Sequence, residues 1–393
     1  MNMMSEVRGA SLVERAREVA AVAAKFADVI DKEGRFPHET VAAMKSGRLF
    51  GIQIPVSLGG EGASLAEIAE VCSILGQECA SSAMIFAMHH IKLSSLVSHG
   101  LGDAWHEAFM RRVVAEQLLL GSATTEAGIG GNLRNSICAI EVDGAVCRLT
   151  KEATVISYGA FADAILITSR AHRDAASSDQ VMTVFLKDQY TLERTHVWDT
   201  LGMRGTCSDG FLFKAEAPKE QILPKAFAEI AAESMLATCH LLWSGVWYGI
   251  ALNAVSRAQA FVRAAARANP GSTPPGALRL AEASAELHLI KSNVLAGLER
   301  FEDAKEDPVK LSSMAFAVAM NNVKITTSQK ILTIINQAMM ICGIAGYKNG
   351  TPYSLGRHLR DAHSAQLMIS NDRILANTST MLLVHKQDTS LLG

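Results

Sequence analysis

Four short stretches concentrate the residue types that bind a ligand and move protons. In LLLGSATTEAGIGGNLRNS, residues 118–136, Thr124 and Thr125 stand beside Gly128, Gly130 and Gly131. Small residues let backbone N–H groups approach a planar or phosphorylated ligand, and hydroxyls add donors. KEATVISYGAFADAILITSR, residues 151–170, puts Ser157 at the end of a strand-like run, before a glycine corner. WDTLGMRGTCSDGFLF, residues 198–213, sets Arg204 between Gly202 and Gly205, ahead of Thr206 and Ser208. CGIAGYKNGTPYSLGRHLRDA, residues 342–362, carries Gly343 and Gly346 in a turn and ends in Arg360-Asp361-Ala362. The groups that can carry a proton near these stretches or on apolar helices are His363, Asp372, His240 and the pair His89-His90. Each piece alone is weak, because a glycine-rich loop is usually a turn and a lone histidine in an apolar run is usually a core residue.

The elements that must position these residues fall into three blocks. Residues 1–117 are rich in Ala, Leu and Glu with apolar residues at helical spacing, which predicts an N-terminal α-helical domain. Residues 118–224 change to short β-rich runs, ICAIEV, AVCRLT, ATVIS, AILITSR, QVMTVFL and GFLFKAE, separated by turn residues; this predicts a middle β domain. Residues 225–393 return to helical periodicity, interrupted by ANPGSTPPG at 268–276, and predict a C-terminal helical bundle. The fold class is α+β and multidomain. Helices, then strands, then helices do not suit a doubly wound dinucleotide fold, and GIGGN at 128–132 fails the GxGxxG pattern. An all-α scaffold with an inserted sandwich that binds partners is the other architecture this order allows.

Composition narrows the partners. Lysine plus arginine number 37 against 39 acids, a formal charge of −2, so no global field favours nucleic acid or an anionic membrane. The seven cysteines form no CxxC or zinc-like cluster and read as reduced thiols; no metal is expected. The first thirty residues mix charges into a helical period without an apolar signal core, so a cytoplasmic protein is expected. MLATCHLLWSGVWYGIALNAV, 235–255, is as long and apolar as a membrane span, but its lack of basic flanks favours a helix buried on all sides.

Taken in order and at these spacings, the four stretches resemble the acyl-CoA dehydrogenase superfamily over essentially the whole chain. Thr125, Glu126, Gly128 and Gly130 are similar to the family's TEPGxGSD loop, Lys151 to Tyr158 to its KxWITN strand, and Gly202 to Ser208 to its GxRxxxS segment. Gly343, Gly346 and Tyr347 resemble the glycine turn near the flavin adenine, and Arg360-Asp361-Ala362 the helix that enters the active site. The resemblance implies that fold, usually a homotetramer, with FAD between the β domain and the bundle. It also implies that Thr124, Thr125 and Ser157 meet the flavin ring, and that Gly131 and Arg204 belong to the cofactor's surroundings. Small-molecule substrates, first among them acyl thioesters, and an electron-transfer or flavin-reductase partner are implied as well.

The departures from the pattern concern the reaction. Dehydrogenation of an acyl thioester needs a carboxylate that removes the α-proton while the β-hydrogen leaves to the flavin. Nine residues after Arg360, where many members carry glutamate, stands Ile369; the alternative position on the first long bundle helix falls on Cys239. Four substitutes are available: Asp372, which as an alternative caps a helix beside Arg373; His363; His240; and one of His89 and His90, of which His90 is carried forward. Val155 replaces the aromatic that shields the flavin, and the RxxFG motif whose arginine reaches a neighbouring subunit's pyrophosphate is absent, which opens FMN beside FAD. Similar replacements occur in the superfamily's reduced-flavin monooxygenases, although the histidine these often carry falls on Met368 here. The expected activity is therefore FAD-dependent dehydrogenation of an acyl thioester with an unconventional base. A reduced-flavin monooxygenase on the same fold, or a noncatalytic flavoprotein, is the alternative.

Overall fold

The computed structural model describes residues 10–129 and 132–386. Helix α1 (Leu12–Glu33) starts where local chemistry dictates. The Ser11 hydroxyl accepts the Glu14 N–H and the Glu14 carboxylate accepts the Ser11 N–H, so two orphan donors of the first turn are satisfied reciprocally. Ser64 and Glu67 repeat the device at α3 (Leu65–Glu78). Between them lies α2 (His38–Ser46), and after them α4 (Ala80–His99) and α5 (Ala104–Glu116). α4 has no polar stripe; most of its residues are buried, Lys92 and both neighbouring histidines included.

The strands form two sheets. β1 (Leu120–Ala123), β4 (Ala164–Arg170) and β5 (Gln180–Leu186) make one in the order β1-β4-β5, with β1 parallel to β4; β2 (Glu141–Asp143), β3 (Val146–Ala153), β7 (Gly210–Pro218) and β6 (Tyr190–His196) make an antiparallel second. The sequence runs anticipate β3, β4, β5 and β7, but ATVIS is not a strand. Beyond Ala153 the chain leaves the sheet, and Tyr158 turns it at a φ of 45°, held by its hydroxyl on the Leu120 carbonyl at 2.9 Å. That departure turns Val155 and Ser157 out of the sheet.

A single π-helical turn (Ala231–Met235) leads into α6 (Leu236–Ala268), followed by α7 (Ala277–Ala304), α8 (Met314–Cys342), α9 (Gly356–Leu367) and α10 (Asn371–Leu382). α6 packs between α3 and α8, which explains its apolar composition: 83% of its most apolar window is buried inside the protein. The Pro/Gly connector separates α6 from α7. One continuous apolar core runs through helices and sheets alike.

Two joints fix the geometry of the centre. At the first, Arg360 pairs with Asp31 at the end of α1 and donates to the Leu201 carbonyl, while the buried Asp361 carboxylate accepts the Met203 N–H at 2.7 Å. Gly202 passes so close to α9 that a Cβ there would sit 2.2 Å from the Arg360 carbonyl, so only glycine fits. At the second, the α9–α10 break is pinned from behind. The buried Lys324 ammonium donates to the Ile369 carbonyl at 2.7 Å and to Asn371 Oδ1 at 2.6 Å. Ile369 has a φ of 49°, a strained conformation for a β-branched residue. Lys324→Met removes both bonds, taking the donor from the Ile369 carbonyl and leaving Asn371 Oδ1 with the Ser328 hydroxyl alone; we expect a loss of about 2 kcal/mol in urea unfolding.

Candidate functional site

These joints enclose a cavity of about 640 Å3 where β1, the loops after β3 and β6, and helices α4, α6, α9 and α10 meet. Its polar edge is built by hydroxyls. Ser122, Thr124 and Thr125 reach it from the end of β1; the Thr125 hydroxyl donates to the Val155 carbonyl at 2.9 Å and ties the two loops together. Ser157, Ser208 and Thr206 form a chain, Ser157 to Ser208 at 2.8 Å and Ser208 to Thr206 at 2.9 Å. The Thr206 hydroxyl also reaches the Met203 carbonyl at 2.9 Å, so the direction of donation is fixed at that end. Thr206 then accepts from Ser208 and Ser208 from Ser157. Most of the remaining lining is apolar: Leu133, Val155, Trp198 and Met203 from the loops, and Met84, Met88, Met235 and Trp243 from α4, the π-helical turn and α6. A slot with a hydroxyl edge and a mostly apolar lining fits an isoalloxazine ring, whose polar atoms lie along its pyrimidine rim and whose faces are hydrophobic.

The charged groups of the lining are all basic. Lys92, Arg360 and Arg373 line the cavity together with His363, and no aspartate or glutamate does so among the described residues. Glu126 is buried nearby but is spent on structure. Burial raises its carboxyl, yet bonds from Ile137 N, Ser136 and Cys138 N, with Lys151 at 3.9 Å, hold it below the usual range. Asp361 is pushed up to about 6 by burial, against the pull of Arg357, and its oxygen faces Met203 rather than the cavity. Lys92 and Cys239 escaped sequence reasoning as a pair. Burial pushes the lysine down to about 8 and the thiol up to about 12. The signal for Lys92 was a lysine between Ile91 and Leu93 in a helix with no polar face.

Of the residues expected to serve the site, Thr124, Thr125, Ser157 and His363 line the cavity. Several others do not. Asp372 is exposed in the first turn of α10, which points it to solvent. His90 is buried with its Nε2 on the Leu49 carbonyl at 3.0 Å, and His89 bridges the Phe50 carbonyl and the Leu120 N–H; both tie helices and strand together. His240 faces the bundle near Lys324, and burial pushes it down to about 4. Arg204 points away from the cavity, donating to the Asp31 and Thr200 carbonyls as a strut for the 198–208 loop. Gly343 and Gly346 lie at the far end of α8, outside the lining, and Gly128 uses its φ of 88° to turn the loop above it. Gly130 and Gly131 fall outside the described residues.

Because His240 is neutral in the folded protein and protonates near pH 6.5 when unfolded, its stabilisation is complete above that pH and is lost as the pH falls toward 4. At pH 5 the loss from this group is about 2 kcal/mol. His240→Leu removes that share of the acid sensitivity, measured as the difference in unfolding free energy between pH 7 and pH 5.

Comparison with known proteins places this geometry among relatives. The family model described as acyl-CoA dehydrogenase, N-terminal domain, matches residues 10–132, and that for the C-terminal domain matches residues 230–379. The amino sugar nitrososynthase DnmZ of Streptomyces peucetius is 24% identical over 86% of this chain and 84% of its own. The structure of TdsC from Paenibacillus sp. A11-2 with FMN and indole superposes with a TM-score of 0.84 at 18% identity, covering 96% of this chain and 98% of that one. Butyryl-CoA dehydrogenase from Megasphaera elsdenii superposes with a TM-score of 0.78 at 17% identity, covering 98% of both chains.

Proposed function

The chain belongs to the acyl-CoA dehydrogenase superfamily and is a flavoprotein oxidoreductase, and from that premise we propose that it is a reduced-flavin-dependent monooxygenase rather than a dehydrogenase of acyl thioesters. One observation carries the reading: no carboxylate lines the cavity among the described residues, and the helix break at Ile369 occupies the place where the family's glutamate is expected. Without a carboxylate at reach of an α-carbon, the proton step of acyl-CoA dehydrogenation has no base of the usual kind. His363 lies on the rim and is exposed. The nitrososynthase name of DnmZ, an oxidation at nitrogen, and the dibenzothiophene monooxygenase title of TdsC support the same direction.

This chain's residues would act as follows. Thr124, Thr125 and the Ser157–Ser208–Thr206 chain would meet the polar edge of the flavin; Thr125 and Ser157, whose protons go to the Val155 carbonyl and to Ser208, would act there as acceptors. When bound, the flavin would supply the two-electron reduction by which one atom of dioxygen enters the substrate and the other leaves as water. Arg373 in the lining favours the flavin ring when it is reduced and anionic over the neutral oxidised ring. Trp198 and the methionines exclude water. FMN is the proposed form, since the pyrophosphate arginine motif is absent from the sequence, and a separate flavin reductase would deliver it. Assembly of several copies is part of the proposal; Leu278, Leu289 and Leu295 on α7, all exposed, support it.

The test is anaerobic equilibrium dialysis of the protein against FMN in its two redox states. The reading predicts that reduced FMN binds about tenfold more tightly. Oxidised FAD that stays bound through gel filtration, with no preference for the reduced form, would overturn it.

A further inference from the structure

The inner wall of the cavity holds a charge without a counter-charge. Lys92, on α4, is 3% exposed, and its Nζ has a single polar partner among the described residues, the Met235 thioether at 3.2 Å. An ammonium offers three donors, and a thioether is a weak acceptor, so most of its hydrogen-bonding capacity is unspent. The groups acting on it are few. From α6 comes the Cys239 thiol, which burial keeps protonated; from β3 the buried Lys151 repels it across the domain boundary. Two other buried lysines show the contrast: Lys324 donates to a carbonyl and an amide oxygen, and Lys151 to the carbonyl and hydroxyl of Thr168. Lys92 has been placed in an equally dry position with those acceptors left out. A buried cation of this kind needs a partner that arrives with the ligand.

Its surroundings define the rest of that ligand. Met84, Met88 and Ile91 from α4, Met235 from the π-helical turn and Trp243 from α6 line the same chamber, while the hydroxyls of Thr124, Thr125 and Ser157 come from the loops after β1 and β3. Methionines adapt to a flat or irregular apolar body, and their sulfurs favour aromatic edges. We infer that Lys92 anchors a carboxylate of the substrate, so that the protein acts on small aromatic acids whose ring packs between the methionines and Trp243. The inference rests on the cavity being the substrate chamber of the proposed oxygenase, and concerns what is bound rather than what is done to it.

Calorimetric titration of the FMN-loaded full-length protein with indole-3-carboxylate and its neutral amide, indole-3-carboxamide, tests it. The two probes share shape and differ in charge. The carboxylate is expected to bind about tenfold more tightly, the worth of one charge-assisted hydrogen bond. Lys92→Met should abolish that preference while leaving the amide's affinity unchanged, and Lys92→Gln should do the same. Equal affinities in the parent protein would overturn the proposal, whatever the variants do. So would a carboxylate preference that survives both substitutions, or variants that lose FMN while keeping the preference, which would assign Lys92 to the cofactor. Failure of the oxygenase reading shows instead in the redox preference for FMN, and leaves the ratio between the two probes untouched.

Discussion

The clasp between the middle of α9 and the 198–208 loop is the constraint on which the chamber depends. Two adjacent residues do different work there. Arg360 reaches outward to the Asp31 carboxylate and the Leu201 carbonyl, and Asp361 reaches inward to a single backbone N–H, that of Met203. Met203 adopts a φ of 52°, which a side-chain-bearing residue keeps only when its surroundings hold it there. The buried carboxylate supplies that hold, at the cost of a pKa raised to about 6. From Met203 the order propagates: its carbonyl receives the Trp198 indole and the Thr206 hydroxyl, and Thr206 orients Ser208 and Ser157. The polar edge of the cavity is thus the far end of a hydrogen-bond relay that begins at one aspartate.

The electrostatics of the chamber follow from what surrounds the relay. Hydroxyls do not fix a sign of charge, whereas lysine and arginine do, and with no carboxylate in the lining among the described residues the space favours electron-rich guests. A reduced flavin and an anionic substrate are both of that kind. Base-dependent removal of a proton from carbon needs the opposite arrangement, a carboxylate desolvated beside the substrate. The acids that are near, Glu126 and Asp361, are engaged by backbone N–H groups and serve as braces. Fold and reaction are therefore separable here: one frame of helices, sheets and helices can carry different chemistries, and the lining is where they would differ.

How much was legible in the sequence depends on what each inference required. The order of helices, sheets and helices follows from periodicity and composition, and the loop hydroxyls Thr124, Thr125 and Ser157 follow from motif position. Facing was harder. His89 and His90 sit one residue apart on a helix apolar all round, so spacing gives no clue that both are consumed by backbone groups of the 49–50 and 120 segments. The count from Arg360 runs to Ile369, where the helix is in fact broken and pinned by Lys324; Asp372, offered as a base only if the segment were shifted, falls in the exposed first turn of α10, as its reading as a helix-surface or capping acid has it. Lys92 was visible as an anomaly, a charge in an apolar helix, but its meaning needed the π-helical turn that leads into α6, about 140 residues away, the separation of its bond to Met235. Long-range apposition of this kind leaves no trace in a local pattern.

The most direct test of the central claim, that this frame lacks the means for acyl-thioester dehydrogenation, is an anaerobic titration of the flavin-loaded protein with acyl-CoAs of short, medium, branched and aromatic chain, followed by flavin absorbance. The account predicts an unchanged oxidised spectrum throughout the series. Bleaching by any one of them would show that a base works in this cavity without a carboxylate in its lining, and would return the protein to the dehydrogenases.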